Sequence, residues 1–205
     1  MKKKIGISMR ITKAKNYIES RDSISQDWLK YSYEYHKNFQ FIYIPNIGKK
    51  VIDYIKFWNI DSIVFSGGDD FGKTPIRDIT ETTLLKYALI NNIPVLGICR
   101  GLQLIVKEAG GKIIRGDENF INRHTAANHN VIYNEMKIEV NSYHSNKIIE
   151  NQLPPIFNII AREENDGSIE AVSGKNILGF MWHPEREIKQ SSVFNKLINN
   201  HFESN

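Results

Sequence analysis

The chain has 205 residues, 41% hydrophobic and 24% charged, a globular balance that excludes disordered and fibrous classes and fits one domain over residues 1–205. A single cysteine excludes an intrachain disulfide, and with it a small secreted fold held by such bridges. The net charge of +4 comes from 27 Lys and Arg against 23 Asp and Glu, dispersed apart from Lys2, Lys3 and Lys4, so no nucleic-acid partner is expected.

Residues 5–9 read as a first strand, too short an apolar stretch for a signal peptide and ended by Arg10. No window approaches the ~20 apolar residues of a membrane span, so a cytoplasmic protein without a membrane partner is expected. Trp28, Tyr31, Tyr35 and Phe39 recur at helical spacing, with Ser23 or Ser25 as the cap, and residues 41–44 form a strand before Pro45. Val51, Ile52, Ile55 and Trp58 mark a second helix, 61–65 a third strand, and Leu84 to Leu89 lie in a third helix. A fourth strand over 94–98 runs into a helix from about Arg100 to Ala109, which Gly110 and Gly111 stop. Strands separated by helices of this length imply right-handed crossovers and a parallel sheet. Beyond Gly111 the pattern changes to short strands: 131–133 and 136–140 around a turn at Asn134 and Glu135, then 156–161, 168–172 and 177–181, before a last helix over about 193–202. The expected fold class is α/β, a mostly parallel central sheet flanked by helices, with a small antiparallel extension. In such sheets ligands bind at the carboxyl ends of the strands.

Gly97-Ile98-Cys99-Arg100-Gly101 follows an apolar strand and opens a helix. Small flanking residues permit a sharp turn that exposes a nucleophile, and the helix N-terminus favours thiolate over thiol. The alternative is a small core residue at a strand–helix junction. Phe65-Ser66-Gly67-Gly68 ends the preceding strand, where paired glycines let backbone N–H groups approach a substrate carbonyl. Trp182-His183-Pro184-Glu185 follows another strand and supplies a histidine two residues from a carboxylate, which suits a base and its orienting partner. The six histidines form no His-x-x-x-His pattern, and no Cys-x-x-Cys, Walker A or Gly-x-Gly-x-x-Gly motif occurs, so no metal or cofactor is expected.

Together the segments 65–68, 94–103 and 182–185 resemble the signature blocks of the class I glutamine amidotransferases. The resemblance implies a flavodoxin-like fold, Cys99 as nucleophile, His183 as base, Glu185 as the residue orienting it, and an oxyanion hole from the N–H groups of Gly68 and Arg100. Cys99-Arg100-Gly101-Leu102-Gln103 is similar to the free-standing γ-glutamyl-γ-aminobutyrate hydrolase type. Gly6-Ile7-Ser8 with Arg10, Arg77-Asp78 with Glu81, and the segments 124–131 and 140–144 agree with that group. This implies a small-molecule γ-glutamyl substrate, with Gly67, Gln103, Arg10, Arg21, Tyr143 and His144 as substrate-binding candidates. The chain departs from the group at Asp69-Asp70-Phe71-Gly72, which lacks the usual proline and tyrosine, and at Ser145-Asn146, which replaces a His-Gln pair. Those departures imply a rebuilt leaving-group pocket. Arg21-Asp22 and the residues to Trp28 look like compact variants tied to surface-polysaccharide pathways, which implies γ-glutamyl-CDP-amidate as substrate; a helix cap is the alternative for Arg21 and Asp22. Arg10, Arg21 and Arg100 are candidates for holding carboxylate or phosphate, with salt bridges as the alternative. A glutaminase subunit feeding ammonia to a synthase partner shares the same triad, and a catalytically dead binding module would lack one of its members. Oligomeric state is open, a homodimer included.

Overall fold

The computed structural model describes residues 2–186 and 192–203. In chain order the first elements are β1 (Lys4–Ser8), β2 (Arg10–Lys13), β3 (Ser20–Ser23), α1 (Gln26–Tyr35), β4 (Gln40–Ile44), α2 (Val51–Trp58), β5 (Ser62–Phe65), α3 (Pro75–Ile90), β6 (Val95–Ile98) and α4 (Arg100–Glu108). There follow β7 (Ile114–Arg115), α5 (Glu118–His124), β8 (Thr125–Tyr133), β9 (Met136–Tyr143), β10 (Asn146–Lys147), β11 (Asn158–Glu163), β12 (Ile169–Ser173), β13 (Ile177–Phe180) and α6 (Ser192–Glu203).

Nine strands make one sheet in the order β4-β1-β5-β6-β13-β12-β11-β8-β9. The first five are parallel neighbours, and from β13 onward every pairing is antiparallel. The expected α/β class is what the chain adopts, and the antiparallel extension continues the same sheet for four strands. Strand alternation decides which face each side chain covers. Ile5, Ile7, Val64, Leu96 and Ile98 pack with Trp28 and Tyr31 of α1 and with Phe194, Ile198 and Phe202 of α6. Ile63, Phe65 and Val95 face the other way, against Val51 and Ile55 of α2, Leu84 and Ala88 of α3, and Leu102 and Val106 of α4. All are buried, so both faces of the parallel half are covered.

Local details decide between the sequence alternatives or depart from them. Ser25, not Ser23, caps α1, accepting from the Asp27 N–H, and α1 ends at Tyr35, so Phe39 lies past the helix and packs against Phe202. Arg21 and Asp22 cap no helix. They sit on β3, which pairs with β2 in a hairpin whose polar residues carry little alternation, and the Asp22 carboxylate instead accepts from the N–H and side chain of Asn46. α5 was not legible either; Asp117 caps it through the Phe120 N–H at 2.8 Å. Among the described residues no helix is long and apolar enough to cross a membrane.

Candidate active site

Cys99 stands between β6 and α4 with φ 49° and ψ −102°, a conformation that L-residues adopt only when their surroundings enforce it. The enforcing contacts are close. A Cβ at Gly97 would lie 2.7 Å from the Leu102 nitrogen, and one at Gly101 would collide with the Phe65 carbonyl of the neighbouring strand. Glycine at both positions is what lets the turn close and presents the sulfur at the strand end.

His183 follows β13 and turns Nδ1 to Glu185 Oε1 at 2.7 Å, which leaves Nε2 for the Cys99 sulfur. The Cε1 edge of its ring points at Gly67, where a Cβ would come within 2.5 Å and displace it. Burial alone would lower the imidazole pKa, but the Glu185 charge and the contact with Cys99 outweigh it and raise it to about 9. Burial alone would raise the thiol; the hydrogen bond and charge of His183, helped by the Arg100 backbone N–H, bring it below the ordinary value. Both shifts favour a thiolate beside an imidazolium. Tyr143 meets the His183 ring edge to face at 5.7 Å.

These groups face a cleft of about 220 Å³, whose walls include Arg10, Trp28, Gly68, Tyr143 and Arg186. A larger depression of about 500 Å³ runs along β11, lined by apolar residues with Glu150, Asn158 and Arg162. Of the sequence candidates, Cys99, His183, Glu185, Gly67, Gly68, Arg10 and Tyr143 converge on the cleft, and Arg100 brings its backbone N–H to the sulfur. Four candidate roles are corrected. The Arg100 guanidinium binds Asp78 and Glu81 in the interior and is not free for substrate. Arg21 is half exposed outside the cleft, paired with Glu19 and Tyr17. Gln103 accepts from Asn146 at 3.1 Å, and His144 turns Nδ1 to the Asn146 carbonyl at 2.8 Å; neither lines the cleft.

Several supports have roles that the sequence does not show, although Arg77, Glu81, Ser8 and the segment around Asn141 stand out in the family resemblance. Asn141 on β9 grips the backbone of His183 from both sides, accepting from its N–H at 2.9 Å and donating to its carbonyl at 2.8 Å. Arg77 on α3 donates to the carbonyls of Ser66 and Gly67 at 2.9 and 3.0 Å and to Glu81 at 2.8 Å. The Ser8 hydroxyl also donates to Glu81, so a buried charge network fixes the loop that carries Gly67 and Gly68. Arg186 stacks over Tyr143 at 4.0 Å, and its place directly after Glu185 was the available signal. The fold also gathers His124, His129 and His144 around Glu170, a grouping invisible in their spacing.

A cysteine at the turn between a parallel strand and a helix, with a linked histidine and carboxylate just past the neighbouring strand, directs attention to one protein family. The glutamine amidotransferase class-I family model matches residues 16–202, and the chain belongs to that family. It is 32% identical to a γ-glutamyl-CDP-amidate hydrolase of Campylobacter jejuni, over 89% of this chain and 90% of that one. It is 33% identical to a subunit of the glutamine-hydrolysing GMP synthase of Thermococcus kodakarensis, over 69% and 74% of the two chains. A glutamine amidotransferase structure from Thermotoga maritima superposes with a TM-score of 0.63 and 16% identity, covering all of this chain and 85% of that one. The chain is therefore a glutamine amidotransferase-like hydrolase.

Proposed function

We propose that the chain cleaves the γ-glutamyl amide bond of a small γ-glutamyl conjugate, releasing L-glutamate and the free amine. The observation that carries this is the linked set Cys99, His183 and Glu185 at the floor of a cleft walled by Arg10 and Arg186. The Cys99 thiolate attacks the γ-carbonyl, and the N–H groups of Gly68 and Arg100 stabilise the oxyanion. Imidazolium His183 then gives its Nε2 proton to the departing amine, leaving a γ-glutamyl thioester. As neutral imidazole it next takes a proton from water, which hydrolyses the thioester, while Glu185 keeps the ring oriented.

The leaving group is a nucleotide-bearing amine, with γ-glutamyl-CDP-amidate as the specific substrate. The Campylobacter jejuni relative supports this, because it aligns over nearly the full length of both chains. The two cleft arginines support it as well, since a diphosphate offers them acceptors that glutamine lacks. A second reading, a glutaminase that hands ammonia to a separate synthase, draws on the GMP synthase relative of Thermococcus kodakarensis. The two are separated by kcat/KM of the chain alone for glutamine, γ-glutamyl-γ-aminobutyrate and γ-glutamyl-CDP-amidate. The nucleotide conjugate is expected to be cleaved fastest. Preference for glutamine, or activity only with an added synthase, replaces this proposal with the second reading, and preference for the aminobutyrate conjugate changes the leaving group alone.

A further inference from the structure

Behind the cleft wall formed by Tyr143, three imidazoles close on one carboxylate. His124 ends α5, His129 lies on β8, His144 follows β9 and Glu170 lies on β12. Their side chains are 1%, 6%, 1% and 0% exposed. The hydrogen bonds these residues make fix which ring nitrogens carry protons. His144 Nδ1 lies 2.8 Å from the Asn146 carbonyl, which can only accept, so that nitrogen holds the hydrogen. Its Nε2 has no hydrogen-bond partner and points at Glu170 Oε1 from 3.5 Å. His124 donates from Nε2 to the Asp166 carboxylate at 3.0 Å. That turns its Nδ1 toward the same Glu170 oxygen at 3.8 Å and toward the Ser142 hydroxyl at 3.5 Å, whose own proton goes to the His124 carbonyl at 2.6 Å. Both ring nitrogens of His129 lack a hydrogen-bond partner, and its Nε2 is 3.4 Å from Glu170 Oε2, which also lacks one.

Separations of 3.4 to 3.8 Å are too long for hydrogen bonds to a carboxylate, which run at ~2.7–2.9 Å. They are close to the spacing of neighbouring ligands around a tetrahedral ion, where bonds of ~2.0–2.1 Å set donors roughly 3.3 Å apart. One ligand atom each from His124, His144 and Glu170 already lies within 4.8 Å of the other two. The outward-facing nitrogens of His124 and His144 donate to a carboxylate and a backbone carbonyl, the outer partners that metal-bound histidines use to fix their tautomer.

We propose that His124, His144 and Glu170 bind one divalent transition-metal ion, Zn²⁺ by the chemistry of the donor set. Imidazoles with a carboxylate suit this borderline cation, whereas Mg²⁺ and Ca²⁺ require oxygen ligands. His129 faces the other Glu170 oxygen and stands outside this set of three. The ion ties α5 and β12 to the end of β9, the strand that carries Asn141 and Tyr143.

The test is metal analysis of the untagged chain by mass spectrometry, with melting followed before and after chelation. About one Zn²⁺ per chain is expected. Chelation should lower Tm by roughly 5–10 °C, and added Zn²⁺ should restore it. Glu170→Gln and His124→Asn should lose the ion, while Cys99→Ser and His36→Asn retain it. Should the first two variants fail to fold, Co²⁺ in the wild-type chain decides: tetrahedral absorption bands without a thiolate charge-transfer band support the cluster. Folded wild-type protein that retains no metal and shows no Tm response to Zn²⁺ overturns the proposal and leaves a plain charge network. Loss of the ion in Cys99→Ser overturns it too, by assigning the metal to the cleft.

Discussion

The parallel and antiparallel halves of the sheet meet at β13, and they supply the cleft by different routes. The parallel half contributes backbone: the turn at Cys99, the N–H of Arg100 and the glycines after β5. The antiparallel half contributes side chains that come together only when distant strands pair. Asn141 reaches His183 across 42 positions, and His124, His129 and His144 meet Glu170 from three other segments. A backbone feature is written in contiguous residues, because a tight turn needs particular neighbours. A side-chain cluster is written in the register of the sheet.

Under the proposed mechanism, breaking the parallel half at Cys99 should have the largest effect. Cys99→Ala is expected to cut kcat/KM by ~10⁴-fold or more with the fold retained, because no other group can carry the acyl intermediate. His183→Asn should cost about as much, since the two act as one unit, and the double variant should be little worse than either single change. Additive losses in that double variant would mean that the two residues do not share a step.

The next effect is smaller and carries a pH signature. His183 titrates at about 9, above its ordinary 6.5, so activity should fall as pH rises through about 9 and the imidazolium is lost. The Cys99 thiol lies below its ordinary 9.0, so activity should also fall toward acid, as the thiolate is protonated. Stability contributed by the raised histidine is fully present below 6.5 and is lost as pH climbs through about 9. Glu185→Gln removes the largest influence raising His183. It should lower kcat by roughly 10²-fold and move the alkaline limb toward neutrality. An unmoved limb would detach Glu185 from the base.

This contrast also explains how much of the molecule was legible in the sequence. Hydrophobic runs located the parallel strands within a residue, because both faces of those strands are buried, whereas α1 was carried four residues too far and only the last turns of α3 were placed. Cys99, His183 and Glu185 stood out because each lies in a short motif at a strand end. The β2–β3 hairpin escaped because Ile11 is the only apolar residue on its two strands. Arg100 looked like a substrate ligand because its partners Asp78 and Glu81 lie 22 and 19 positions away on another helix. The segment of Asn141 stood out by resemblance, but its contact with His183 escaped because nothing in that segment points across the sheet.

Supports buried beneath each half allow a direct comparison by melting. Glu81 neutralises Arg77 and Arg100, all three essentially without exposure, so Glu81→Gln leaves uncompensated buried charge and should cost ~3–5 kcal/mol. Asn141→Ala leaves one buried N–H and one carbonyl of His183 unpaired, which should cost about 1–3 kcal/mol and loosen the base. Both variants should lose kcat, Glu81→Gln through the Gly67–Gly68 loop and Asn141→Ala through His183. Asn141→Ala with unchanged kcat would make the clamp a matter of folding alone.

The smallest expected effect concerns two arginines that look alike in the sequence and differ in place. Arg10 lines the cleft beside Gly68, whereas Arg21 lies outside it on the paired strand, half exposed and already matched with Glu19. If the leaving group carries a diphosphate, Arg10 meets it in the cleft and Arg21 contributes only through a field that salt screens. Arg10→Ala should therefore raise KM for the nucleotide conjugate by roughly 10-fold, one charge-assisted contact, and leave glutamine hydrolysis nearly unchanged. Arg21→Ala should stay within about twofold for both substrates at 0.15 M salt, where the screening length is ~8 Å. Measuring both variants against both substrates at low and high salt separates contact from field. A loss for Arg21→Ala equal to that for Arg10→Ala, persisting at high salt, would show that the hairpin folds over the cleft when substrate is bound and that its outer strand belongs to the site.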